Sequence, residues 1–301
     1  MTDTGTVVTV GSFDGVHRGH QVVLADVARR ARGRGLASLL VTFEPHPLEV
    51  VNPAAAPRLL TTLEEKRELL AQLDLDRLAV LPFTRELARL EAVAFISEIL
   101  LARFGMRELV LGYDHGFGRG RAGDVDLARQ LGRERGFAVD VIDAVTDDGQ
   151  PISSTLIRTA LAHGNLAAAE RWLGRPHTVR AVVERGEGHG RGHGVPTLNL
   201  APPPRKVLPP DGVYAVWVWW RGERHGGMMN QGPRPTFGRV ERALEIHLFD
   251  FAGDLYGESV QVQWVRRLRD VQAFSSRDAL VAQLARDRQA ARDSLNLAGV
   301  P

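Results

Sequence analysis

The chain has 301 residues, 44% of them hydrophobic, enough for one large or two medium domains, and a formal net charge of only +2. It has no cysteine, which excludes disulfides, thiolate metal ligands and cysteine nucleophiles. No apolar run reaches the length of a membrane span, no charged and apolar leader opens the chain and no basic tail stands out, so neither a membrane nor a nucleic acid is expected as partner, and a cytoplasmic location is expected.

The cations are almost all arginine; Lys66 and Lys206 are the only lysines. The first apolar run, Val7-Val8-Thr9-Val10, predicts a buried strand. Gly11 breaks it, and the turn Gly11-Ser12-Phe13-Asp14-Gly15-Val16 leads into His17-Arg18-Gly19-His20. From there Val23, Leu24, Val27, Ala28 and Ala31 keep helical spacing. A helix start offers unpaired N–H groups and a positive dipole, which makes this turn a candidate phosphate seat. Two imidazoles at that point can donate to phosphate oxygens as charge grows in a transition state. Without that chemistry they would be two surface histidines in a loop.

Further strands are expected at Ala37–Phe43, Leu78–Leu81, Leu109–Gly112 and Val139–Ile142. Helices are expected from Thr61-Thr62-Leu63-Glu64-Glu65 onward and over Ala92–Phe104. Alternating strands and helices argue for a parallel sheet covered on both faces, with ligands beyond the strand C-termini. The loop Gly112 to Asp124 is glycine-rich and carries Arg119 and Arg121; it either wraps a nucleotide or is a plain surface loop. Ser153, Ser154 and Thr155 open another helix, with Arg158 on its first turn, a second candidate phosphate seat.

Beyond Leu173-Gly174-Arg175-Pro176 the pattern changes to short alternating strands, and the domain boundary is set between residues 175 and 176. Val179–Val183, Val213–Trp220, Leu244–Leu248 and Val260–Trp264 read as strands of a small closed barrel, followed by a helix capped by Ser275-Ser276. On their own, Pro196-Thr197-Leu198-Asn199 could be a turn and Glu245 an exposed strand residue.

The His-x-Gly-His start after a first strand resembles the signature of nucleotidyltransferases. More closely, GSFDGVHRGH, TFEPHP, LGYDHGFGRGRAGD and ISSTLIR, in that order, resemble the FMN adenylyltransferase module of bacterial bifunctional riboflavin kinase/FAD synthetases. GRGHGVPTLNL, PDGVYAV, NQGPRPTF, LEIHLFDF and DLYG resemble the riboflavin kinase module of the same family. The resemblance implies a Rossmann-like adenylyltransferase domain over 1–175 and a barrel kinase domain over 176–301. It implies riboflavin, FMN, FAD and ATP as substrates and products, with Mg²⁺ as cofactor. His17, His20 and Glu245 would be catalytic. Gly11, Phe13, Asp14, Gly15, Ser153, Ser154, Thr155, Arg158, Gly190, Arg191, Thr197 and Asn199 would hold ATP or its phosphates. Asp114, Phe117 and Arg234 would contact flavin, and Thr197 and Asn199 would bind the metal. The chain departs from the family pattern at Glu44, His115-Gly116, Leu156, Val195 and Leu198, among others. Two alternatives share the motif set: a paralogue with one activity lost or an altered substrate, and a non-catalytic flavin-binding regulator.

Overall fold

The computed structural model describes residues 5–113, 116–185, 197–236 and 239–296; at 121, 234–236 and 239–241 the description is of backbone alone. The chain divides into two compact units, Met1–Ser154 and Thr155–Pro301.

The first unit runs β1 (Thr6–Val10), α1 (Arg18–Arg34), β2 (Ala37–Glu44), α2 (Pro47–Val51), α3 (Leu63–Leu70), β3 (Arg77–Pro82), α4 (Arg85–Arg89), α5 (Ala92–Ala94), β4 (Met106–Gly112), α6 (Val125–Arg135) and β5 (Ala138–Ile142), then the small hairpin β6 (Thr146–Asp147) and β7 (Gln150–Pro151). The five long strands form one sheet in the order β3-β2-β1-β4-β5, with every neighbour parallel. Both faces are covered, as the unbroken apolar strands demand. Val8, Val10, Leu39, Val41, Leu109 and Leu111 pack on one side with Phe95, Ile96 and Leu131. Val7, Leu40 and Val110 pack on the other with Val23, Leu24, Val27 and Ala31 of α1.

The expected helix over Ala92–Phe104 is present, but beyond α5 it is a π-helix over Phe95–Arg103, closed by Phe104 N–H donating to Ile99 O at 3.2 Å. Phe95 and Leu100, five residues apart, are both buried, and the wider turn keeps both on the core. Helix α3 starts as its sequence indicated: the Thr62 hydroxyl accepts from Glu65 N–H at 3.2 Å, and the Glu65 carboxylate accepts from Thr62 N–H at 2.9 Å.

The second unit opens with α7 (Ser154–Ala162) and α8 (Leu166–Leu173), the first residue of α7 being the last of the preceding unit. Then come β8 (Thr178–Glu184), β9 (Leu198–Leu200), β10 (Gly212–Trp220), β11 (Glu223–Thr236), β12 (Arg239–Leu248), β13 (Ser259–Arg269) and α9 (Arg277–Ser294), whose N-cap is Ser276. The six strands close into a barrel in the order β10-β11-β12-β9-β8-β13. Strand alternation sends Tyr214, Val216, Val218, Met229, Leu244, Ile246, Val260, Val262 and Trp264 into its core. Ala291 of α9 and Leu295 just after it cover part of the outside, packed on Val213, Ala215, Met228 and Phe249.

Candidate functional site

In the first unit β2 lies on one side of β1 and β4 on the other, so the strand order reverses at β1. The crevice beyond that point is where an open parallel sheet offers a ligand site. The turn after β1 occupies it. Phe13 (φ 46°) and Val16 (φ 39°) take left-handed backbone angles, costly for a bulky and a β-branched residue.

Such strain persists only where neighbours impose it. The Asp14 carboxylate accepts the N–H groups of Leu60 and Thr61, each at 3.0 Å, and Gly15 N–H donates to Thr61 Oγ1 at 3.0 Å. The Ser12 carbonyl accepts Lys66 Nζ at 2.7 Å and Thr42 Oγ1 at 3.2 Å. Asp14 thus ties the turn to the segment before α3. The N–H groups of Ser12 and Phe13 have no partner among the described residues.

His17 is the N-cap of α1: its Nδ1 accepts His20 N–H at 3.4 Å. An accepting Nδ1 places the proton of the neutral ring on Nε2. The His17 and His20 rings stack with centroids 3.6 Å apart at 19°, and Phe13 lies 4.6 Å from His20. A Cβ on Gly19 would stand 3.2 Å from the His17 ring, so glycine at this position keeps the space beside the ring open. Burial, and then the charges of His17 and Lys66, hold the His20 pKa well below 6.5, so the free protein carries it neutral at pH 7. Its Nδ1 is buried without a partner among the described residues.

Of the second sequence-predicted phosphate seat, Ser154 lies in the first unit and its hydroxyl donates to Asp14 O at 2.9 Å. Ser153 directly precedes α7, and Thr155 and Arg158 lie on α7 in the second unit. Phe117 is buried in the core and pairs with Gly123. Asp114 lies outside the described residues.

On the barrel, register assembles a second candidate site. Glu245 of β12 pairs with Asn199 of β9 on one side and Asn230 of β11 on the other, and Asn199 pairs with Glu184 of β8. Residues opposite each other share a face. Because Leu200, Leu244, Ile246 and Met229 beside them point inward, this polar row stands on the outside. Asn199 is only 9% exposed. Thr197 immediately precedes β9 and is half-buried. Hydroxyl, amide and carboxylate oxygens form a hard donor set that suits Mg²⁺, which binds few protein groups and keeps waters and phosphate oxygens. Arg234 sits on β11 opposite Glu241, described there by backbone alone, and Gly190 and Arg191 lie outside the described residues.

Sequence reasoning missed Thr42, Thr61 and Lys66, the residues that hold the histidine turn from behind. Lys66 left one signal, as one of two lysines in an arginine-rich chain.

Residues 1–156 match the FAD synthetase family and residues 173–295 the riboflavin kinase family. The bifunctional riboflavin kinase/FMN adenylyltransferase of Escherichia coli K12 is 42% identical over 97% of this chain and 94% of its own length. That of Pseudomonas fluorescens is 40% identical over 96% of this chain and 92% of its own. A crystal structure described as a macrolide-efflux protein from Streptococcus pneumoniae superposes with a TM-score of 0.85 at 32% identity, over 97% of this chain and 95% of that one. Among the described residues no helix is long and apolar enough to cross a membrane.

Proposed function

The chain belongs to the bifunctional riboflavin kinase/FMN adenylyltransferase family, and from that premise we propose that it makes FAD from riboflavin in two ATP-dependent steps at two sites. The observation that carries this reading is the near-full-length similarity to bifunctional relatives, with the matching residues of both motif sets in place in one chain. The adenylyltransferase domain is assigned to 1–175 and the kinase domain to 176–301.

On the barrel, Glu245 accepts the proton of the ribityl 5′-hydroxyl as that oxygen attacks the γ-phosphorus of ATP, giving FMN and ADP. Thr197 and Asn199 would hold Mg²⁺ against the ATP phosphates; the ion neutralises phosphate charge when bound. In the α/β unit the FMN phosphate attacks the α-phosphorus of a second ATP in line, and pyrophosphate leaves. The turn's free N–H groups, the α1 N-terminus, His17 and His20 stabilise the charge that develops there, and no covalent enzyme intermediate forms. Gly11, Phe13, Asp14, Gly15, Ser153 and Ser154 frame the triphosphate, Asp14 from behind. Consumption of ATP and a cysteine-free sequence suit a cytoplasmic enzyme.

The two sites separate by mutation. His20→Ala lowers FAD formation from supplied FMN by about 100-fold or more and spares riboflavin phosphorylation. Glu245→Ala does the reverse, measured as FMN and FAD by chromatography with each flavin supplied in turn. Parallel loss of both activities in either variant would refute two independent sites.

A further inference from the structure

In a chain that uses arginine for nearly every cation, both lysines are buried: Lys66 is 6% exposed and Lys206 is 2%. Arginine's wide planar head does not replace a compact ammonium in such a space. Lys66 sits on α3, whose other buried residues are Glu65 and Leu70. Its ammonium is not held in an ion pair with any described carboxylate; its hydrogen bond goes to a backbone oxygen, Ser12 O at 2.7 Å. Asp14 and Glu44 stabilise its charge from a distance while burial lowers its pKa. A buried cation spent on one carbonyl of a strained turn is expensive unless that carbonyl's orientation matters.

It matters because a trans peptide sets its C=O and N–H in opposite directions. Lys66 and Thr42 together pull the Ser12 carbonyl inward. The Phe13 N–H of the same peptide is thereby turned to the opposite side, and it has no partner among the described residues. With the Ser12 N–H and the left-handed Phe13 it forms the kind of backbone concavity that binds anions. We propose that Lys66 is a positioning residue for adenylyl transfer: through the Ser12 carbonyl it aims the Phe13 N–H at the triphosphate of ATP, with Thr42 as its partner in that task. The inference rests on the reading of this turn as the adenylyl-transfer site.

The test is a double-mutant cycle on the full chain with FMN supplied. Lys66→Met lowers adenylylation kcat/KM for ATP by about 100-fold and leaves KM for FMN and riboflavin kinase kinetics unchanged. Thr42→Val gives a smaller loss of the same kind. Acting through one carbonyl, the two are non-additive, and the double variant is no worse than about 3-fold below Lys66→Met. Multiplicative losses, or equal damage to KM for ATP and FMN, would overturn the proposal. Should Lys66→Met fail to fold, Lys66→Gln and Thr42→Val carry the cycle, with thermal melting as the check. His20→Ala separates the two levels: if it leaves FAD formation intact, the site reading fails; if it abolishes FAD formation while Lys66→Met is harmless, only the role of Lys66 fails.

Discussion

A histidine forced to stay neutral reports on the space around it, and each unit has one. His177 of the barrel unit is 5% exposed, stacked 5.4 Å from Trp264, with Nε2 2.9 Å from Val207 O. Burial first, and then the charge of Lys206, pushes its pKa from 6.5 down to about 3. A folded-state pKa below the unfolded one means that the unfolded chain binds the extra proton. Its stabilising contribution is therefore complete above pH 6.5 and is lost progressively as pH falls toward 3. The slope is at most about 1.4 kcal/mol per pH unit for one group. Urea unfolding at pH 7 and pH 5 should show that loss for the barrel unit, and His177→Gln should flatten it; an unchanged slope in the variant would assign the dependence to other groups. At this scale the sequence was legible where a residue's role follows from its local motif. His17 and His20 stand at a helix start, and both are found there. Asp14 is half legible: the motif places it in the turn, but only the fold shows its carboxylate committed to Leu60 and Thr61, 46 and 47 residues away. Lys66 stood out only as a rare lysine; its role was not legible, since in Leu63-Glu64-Glu65-Lys66-Arg67-Glu68 it looks like the solvated face of a helix.

Among elements, those with strict periodicity and a chemical stop were foreseen. Strand β1 ends at glycine, α3 begins with a capping box and α9 begins after Ser276. Helix α6 went unread although Val125, Leu127, Ala128 and Leu131 pack on the core, because it follows directly on the glycine-rich loop. Its ends do carry the signals, an Asp124 cap and a left-handed Gly136. The glycine-rich loop before it shows how one composition serves two purposes. Gly118 (φ 71°) has Ala92 so close that an added Cβ would meet its Cα at 2.6 Å and its N at 2.7 Å, whereas Gly120 (φ 62°) faces open space. Gly120→Ala therefore costs only the left-handed angle, about 1–2 kcal/mol, and Gly118→Ala costs distinctly more because backbone must move. Comparing the two by urea unfolding isolates the steric part; equal losses would mean that the contact with Ala92 yields cheaply.

The whole molecule joins two fold classes, and both were legible because each rests on a repeated pattern. Apolar strands alternating with helices can be buried only in a covered parallel sheet, and strands alternating every second residue can close on themselves. What pattern could not supply is which residues stand side by side. The row Glu184–Asn199–Glu245–Asn230 is created by register across four strands, and its members are spread over 62 positions of sequence, from 184 to 245. Glu245 was picked out in the sequence only by family resemblance; its pairing with Asn199 gives it a local physical setting. The central claim is that one chain holds a kinase site and an adenylyltransferase site working in series. The most direct test is chromatography over time of the purified full chain with riboflavin, ATP and Mg²⁺. The account predicts that FMN appears first and FAD follows as FMN is consumed. Riboflavin returned unchanged, together with no FAD from added FMN, would contradict it and leave a flavin-binding protein without turnover.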